Sequence, residues 1–321
     1  MELSFLATVM DGCSLRPHQI KITTFNLFNY LAPPGAYYDF ENIYSFAHWQ
    51  DKQHWTLKQI EASDADVIGF QEIFSADALE EQLASIGYPY FAVIDEPKVE
   101  SDFIHSEPVV GIASRYPLLS VSAVEPDLLA SKELGFTFSR APLHALIELP
   151  VIGKVDCVVV HFKSQRPKAL SEEKFSLKQV ESWRSTMQRG LEARFIDAFF
   201  TERKRTKGYP QLLMGDFNRD LNSAEFSCFH ANNADEIRGL SDSKRLLAEE
   251  APIQATHYYG AKGSVLDYIM LSEEFDRNSA SCLFEVSDYQ VSDSHLVNPI
   301  YAIDRMASDH GIVTITLTDR S

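Results

Sequence analysis

Leu212-Leu213-Met214-Gly215-Asp216-Phe217-Asn218 reads as a buried strand that runs out of apolar residues and stops on a carboxylate and an amide. Short apolar or β-branched runs that end in polar residues are the signature of strands buried in a sheet. Seven more runs follow the same plan: Ile20 to Phe25, Val67 to Phe70, Val109 to Ser114, Ala145 to Leu149, Val155 to Val160, Ser264 to Leu271 and Gly311 to Leu317. Residues 145 to 160 read as a hairpin around Val151-Ile152-Gly153-Lys154. Between the runs, Trp55 to Ala62 and Ala76 to Ile86 carry apolar residues at three- and four-residue spacing, and the second stops at Gly87 as a helix should. A longer helix is predicted from about Ser171 to Arg203, with Phe175, Val180, Trp183, Met187, Leu191, Phe195 and Phe199 on one face. Strands that occur both singly between helices and in adjacent pairs exclude a purely parallel sheet. They predict an α/β fold with two packed mixed sheets flanked by helices.

Six of the runs meet a residue able to bind metal or move a proton. Ile22-Thr23-Thr24-Phe25 leads to Asn26, and Val67-Ile68-Gly69-Phe70 leads to Gln71-Glu72. Val158-Val159-Val160 leads to His161 and Lys163, while Val265-Leu266 is followed by Asp267-Tyr268. Gly215 leads to Asp216 and Asn218, and Ser308-Asp309-His310 precedes the last strand. Hydrolysis of a phosphodiester develops charge on the phosphoryl and leaving oxygens. A hard cation such as Mg²⁺ neutralises that charge and prefers carboxylate and amide oxygens. Glu72 and Asp309 are therefore candidate metal ligands. A water nucleophile also needs a base, and a histidine whose tautomer is fixed by a carboxylate serves. Asp267 is the natural partner for His310. Asp216 and Asn218, two apart on an extended segment, would face the same way.

In this order the motifs resemble the endonuclease/exonuclease/phosphatase superfamily, over about residues 20 to 318. The resemblance implies a four-layer α/β/β/α sandwich of deoxyribonuclease I-like type, a single catalytic domain over 1–321, and a site at one edge of the paired sheets. It implies Glu72 as principal metal ligand with Asn26 beside it, and Asp309 supporting that metal or a second one. His310, oriented by Asp267, would be the general base or contact the scissile phosphate. Asp216 would position or deprotonate the attacking water, Asn218 would hold a phosphate oxygen, and His161 would assist the leaving group. The stretch His161-Phe162-Lys163 departs from abasic-site repair nucleases, which have tyrosine chemistry there. Arg115, in Ser114-Arg115-Tyr116-Pro117, and Arg140, in Ser139-Arg140-Ala141-Pro142, are candidate phosphate contacts together with Lys163. The other histidines, His48, His54, His105, His144, His230, His257 and His295, read as surface or packing residues.

Composition bounds the substrate. A net charge of −17 argues against tight coating of a nucleic-acid duplex, which needs a basic surface. Residues 161 to 210, with 12 Lys and Arg against 6 Asp and Glu, are a basic segment on that acidic body. No apolar run approaches the ~20 residues of a membrane span. The start, Met1 to Leu15, does not resemble a secretory leader. The four cysteines are far apart, and Cys157 reads as a small buried hydrophobe. Cytoplasm is the default compartment, with a secreted form lacking its leader as the alternative. The expected activity is a Mg²⁺- or Mn²⁺-dependent phosphodiesterase acting on nucleic acid, with no obligate protein partner indicated. A phospholipid or inositol-phosphate phosphoesterase and a catalytically inactive binding protein on the same fold are the alternatives.

Overall fold

The computed structural model describes residues 18–100, 102–165, 175–230, 239–249 and 251–320. Twelve strands form two six-stranded mixed sheets. The first contains β1 (Gln19–Tyr30), β3 (Val67–Ile73), β4 (Tyr90–Val93), β7 (Val109–Ser114), β16 (Phe284–Ser292) and β17 (Ile312–Asp319), in the order β16-β17-β1-β3-β7-β4. The second contains β8 (Leu118–Ala123), β9 (Leu143–Leu149), β10 (Gly153–His161), β11 (Gln211–Asp216), β12 (Ser241–Asp242) and β15 (Asp267–Leu271), in the order β12-β15-β11-β10-β9-β8. Only β1 with β3 and β10 with β11 run parallel within these two sheets. Three small strands, β2 (Ala36–Tyr37), β5 (Lys98–Glu100) and β6 (Ile104–Ser106), make a flap. A hairpin is formed by β13 (His257–Tyr259) and β14 (Lys262–Ser264).

Strand alternation divides the apolar residues into three cores, as four layers require. Between the sheets, Ile20, Ile22, Val67 and Ile112 meet Val155, Cys157, Val159, Leu212 and Met214. Outside the first sheet, Phe25, Ile68 and Phe70 receive Trp55 and Ile60 of α1 (Phe46–Ser63) and Leu79 and Leu83 of α2 (Ala76–Ser85). Past the short α3 (Leu128–Leu134) in the chain, the helical layer on the second sheet is α4 (Phe175–Lys207), joined by Cys228 and Phe229 of the short α5 (Ser227–His230). Ala193, Ile196 and Phe200 of α4 cover Val158, Val160 and Leu213. The four-layer α/β/β/α sandwich is the observed architecture.

The structure departs from the predicted elements for local reasons. Helix α1 starts nine residues earlier than its apolar spacing indicates, because the Ser45 hydroxyl accepts from the His48 N–H and caps it. The run Ser264 to Leu271 is broken: the amides of Leu266 and Asp267 leave the ladder and bond the Thr256 hydroxyl. Strands β8 and β16 escape a sequence reading because their faces are partly exposed and polar, and β4 because it is only four residues long and none of them is fully buried. Helix α4 departs furthest. Val180, Trp183 and Met187 of its predicted apolar face are exposed, and Phe175's side chain lies outside the described residues, as do residues 171–174. Facing inward instead are Glu181, Ser185, Arg189 and Glu192, a polar stripe at helical spacing.

Gly215 is the tightest point of the second sheet. Its φ of 148° lies where side chains are disfavoured, and a Cβ there would sit 1.9 Å from the Val160 carbonyl oxygen. Gly215→Ala is expected to lower stability by more than about 3 kcal/mol in urea denaturation. A loss below about 1 kcal/mol would show that β11 can move away from β10 at no great cost.

Candidate functional site

Register builds the site. His161 ends β10, Asp216 ends β11 and Asp267 begins β15, and the three are paired side by side across the second sheet. Residues in register present their side chains on the same face. The first sheet supplies the rest by another route. Asn26 and Glu72 are not at strand ends but at a paired irregularity, where the ladder shifts between Asn26 and Tyr30 and between Phe70 and Ile73. Phe28, Asn29 and Glu72 there have φ between 53° and 61°, as does Asn218 across the site. Left-handed backbone at several non-glycine residues is strain that persists where the surroundings over-determine it, and it gathers at functional sites.

Asp216 is the centre. Its carboxylate is buried, with Oδ2 3.2 Å from Asn26 Nδ2, 3.4 Å from His161 Nε2 and 3.8 Å from His310 Nε2. Asn218 lies beside it through a turn and not through strand alternation: its N–H donates to Asp216 Oδ1 at 2.7 Å. The Asn218 amide also donates to the Phe162 carbonyl. Asp267 Oδ2 bonds His310 Nδ1 at 2.9 Å, so the other ring nitrogen faces Asp216. Ser308 ties two parts of the first sheet together, donating to the Asn26 carbonyl of β1 and accepting from the N–H of His310, which precedes β17. Glu72 accepts from the Asn29 N–H at 2.9 Å.

The protonation states follow from burial and charge. Burial, against the pull of His310 and with the push of Asp267, raises the Asp216 carboxyl to about 7. For His310, burial works against the charged form, but the carboxylates of Asp267 and Asp216 and the Asp267 hydrogen bond outweigh it and hold the imidazole well above its ordinary value. His161 goes the other way. Burial first, then the positive charges of Arg140, His310 and Lys163, hold it well below that value and neutral. Two neighbouring histidines are thus driven into opposite states, one charged and one neutral.

Donor chemistry fits a hard divalent cation. Oδ1 of Asp309 and Oδ1 of Asp267 are buried without a hydrogen-bond partner, which is costly unless a cation or substrate group completes them. Glu72 and Asp309 offer the oxygen ligands such a cation takes. Asn26 is less open than expected, since its Oδ1 already accepts from the Phe28 N–H.

The remaining residues divide. Arg140 reaches the rim, with Nη1 3.4 Å from the carbonyls of His161 and Phe162 and Nε buried without a partner. Lys163 stands beside it, its Nζ donating to Ser164. The loops carrying both are held by the polar stripe of α4: Glu192 accepts from the amides of Ser139 and Lys163, and Arg189 donates to the Lys163 carbonyl. Arg115 is corrected. It lies past the end of β7 paired with the start of β3, the opposite end from Glu72, where it bonds Asp64 and stacks on Tyr88. The basic excess of α4 is also largely consumed internally, with Arg189 on Glu225, Arg203 on Asp156, Lys204 on Glu274 and Arg205 on Glu202.

Two residues escaped the sequence reading. Lys52 is buried on the inner face of α1, its ammonium 5.6 Å from the Phe28 ring and 5.7 Å from the Tyr44 ring. Burial lowers its pKa to about 8 despite the opposing charges of Glu72 and Asp309. Its signal was a lysine on the Trp49, Thr56, Ile60 side of an otherwise core-facing helix. His257, read as a surface or packing residue, has its ring centroid 5.1 Å from that of His310. His144 and His295 pack as expected, His144 on Asp156 and His295 on the His310 carbonyl.

A model of the endonuclease/exonuclease/phosphatase family matches residues 24–310. A comparison with curated proteins gave no match. Among solved structures, the human Nocturnin catalytic domain with bound sulfate is similar with a TM-score of 0.62 at 16% identity, covering 95% of this chain and 96% of that one. Danio rerio (D. rerio) TDP2 complexed with a single-strand DNA product gives 0.59 at 12% identity, over 93% and 98%. The mannosyl-6-phosphatase of Bacteroides thetaiotaomicron gives 0.56 at 17%, over 93% and 99%. At such identities these likenesses establish the fold alone, a deoxyribonuclease I-like sandwich. The match over nearly the whole chain establishes more: this protein belongs to the endonuclease/exonuclease/phosphatase family, whose members are phosphoester hydrolases and generally depend on a divalent metal.

Proposed function

We propose that the chain is a single catalytic unit that hydrolyses phosphodiester bonds of nucleic acid by in-line attack of water, with Mg²⁺ or Mn²⁺ as its cation. The observation that carries this reading is the Asp216 carboxylate set between a neutral and a charged histidine. A phosphodiester needs one group to receive a proton from water and another to help the leaving oxygen depart. Asp216, raised to about 7, is poised to take the proton from an attacking water near neutral pH. His310, charged and fixed by Asp267, lies against the phosphoryl oxygens, and His161 faces the leaving group. Asn218 holds a phosphate oxygen, and Arg140 and Lys163 hold the substrate's backbone at the rim. A divalent cation held by Glu72 and Asp309, with Asn26 adjacent, would neutralise charge that develops on the phosphoryl group.

A second reading keeps the chemistry and replaces nucleic acid with a phospholipid or inositol phosphate. It is favoured by the net charge of −17 and by the commitment of α4 cations to internal ion pairs, which weakens the case for a duplex ligand. Among the described residues no helix is long and apolar enough to cross a membrane. A panel of single-stranded DNA, duplex DNA, RNA, sphingomyelin, inositol phosphates and a bis-aryl phosphate, assayed with Mg²⁺ and Mn²⁺, separates the readings. Turnover confined to the lipid or inositol substrates overturns the first.

Glu72→Ala and His310→Ala are each expected to reduce turnover by about 10²- to 10³-fold, the usual effect of removing one preorganised electrostatic partner. Full activity of Glu72→Ala would refute the metal assignment. Asp216 gives a pH test. Its carboxyl is raised in the folded state, so its contribution to stability is present at low pH and is lost as pH rises through about 7. Metal-free Asp216→Asn is therefore expected to melt above the wild type at pH 8, with the gap closing toward pH 4, while losing activity. Equal melting differences at both pH values in calorimetry would contradict the buried-charge account.

A further inference from the structure

The motif assignment leaves His257 without a role, yet the fold places it against the catalytic cluster. Its backbone forms an antiparallel bridge with His310 just before β17, and the Gly311 N–H donates to the Thr256 carbonyl at 2.6 Å. The Thr256 hydroxyl accepts from the amides of Leu266 and Asp267, so the β13–β14 hairpin is tied to the residue that orients His310. One donor atom each from His257, Asp309 and His310 lies within 4.8 Å of the other two. The Asp309 Oδ1 that points into this group is buried, has no hydrogen-bond partner, and is 3.9 Å from His310 Nε2.

We propose that His257, Asp309 and His310 form a second metal position, sharing Asp309 with the Mg²⁺ position at Glu72 and selective for zinc and similar transition metals, whose occupation switches the enzyme off. The donor set decides the selectivity. Two imidazole nitrogens with one carboxylate suit Zn²⁺, Co²⁺ or Ni²⁺, whereas Mg²⁺ prefers the oxygens around Glu72. Zinc bonds to nitrogen and oxygen are about 2.0 to 2.2 Å, which brings the donors closer than they now stand. His257 and Asp309 are partly exposed and supply that movement, while His310 is fixed by Asp267. Water would fill the fourth position. On ligation His310 releases its Nε2 proton to solvent and its free nitrogen is consumed, so it no longer faces substrate. Inhibition rests on the proposed phosphodiesterase reading, but metal binding does not.

The test uses the full-length protein stripped of metal. Zinc affinity is measured by competition with a chromophoric chelator in excess Mg²⁺, and tetrahedral coordination by the visible absorption of Co²⁺. His257→Ala and His257→Gln, both checked for a native circular dichroism spectrum, are expected to bind zinc at least tenfold more weakly. Glu72→Gln is expected to retain zinc binding and lose Mn²⁺ binding. In the activity arm, Zn²⁺ should inhibit the wild type in excess Mg²⁺, and the His257 variants should need at least tenfold more zinc. Unchanged zinc affinity in both folded His257 variants overturns the site. Parallel loss of zinc and Mn²⁺ in Glu72→Gln does so as well, since zinc would then occupy the Glu72 position. An absence of phosphodiesterase activity would refute the functional reading and leave the binding arm decisive.

Discussion

The hydrogen bond from His310 Nδ1 to Asp267 Oδ2, 2.9 Å long and buried, is the constraint on which the site depends. His310 precedes β17 of the first sheet, and Asp267 opens β15 of the second. One bond therefore joins the two sheets at the edge where both present their polar residues. It also fixes the tautomer, leaving Nε2 toward Asp216. Around it the supports are backbone groups: Ser308 on the Asn26 carbonyl, Thr256 on the Asp267 amide, and the Asn218 amide on Asp216. Groups held by main-chain atoms are positioned before substrate arrives, so little entropy is lost in aligning them.

The second sheet was the easier half to read. Cys157 to Val160 and Leu212 to Met214 are continuous apolar runs that end on His161 and near Asp216, and β-pairing converts those ends into one row. The first sheet uses a different device, and its sequence conceals it. Nothing in Phe25-Asn26-Leu27-Phe28-Asn29 announces two consecutive left-handed residues, because the strain is set by the partner irregularity at Glu72. Asn26 and Glu72 were found through their motifs, and the reason they converge was not.

Helix α4 shows the opposite failure. Apolar spacing marks Val180, Trp183 and Met187 as part of one face, yet the inward face there is Glu181, Ser185, Arg189 and Glu192. Periodicity detects apolar stripes and is blind to a buried face built from hydrogen bonds to loops. Those loops carry Arg140 and Lys163, so α4 acts as a back plate for the loops at the rim of the candidate site. Arg115 was misplaced for a related reason. Strand ends in a sequence do not say which edge of the sheet they occupy, and antiparallel β7 delivers Arg115 to the edge away from Glu72.

Charge balance makes the strongest argument for a bound cation. Glu72, Asp216, Asp267 and Asp309 gather four carboxylates, against which stand His310 and Lys52 beside them and Arg140 and Lys163 at the rim. Lys52 is itself buried between aromatic rings and has its pKa pulled down to about 8, so it is not a strong counterweight. The rise of Asp216 to about 7 comes first from burial, with the neighbouring carboxylates of Asp267 and Glu72 adding to it. The carboxylate oxygens left without a hydrogen-bond partner, Oδ1 of Asp267 and Oδ1 of Asp309, are groups that a divalent cation would satisfy directly.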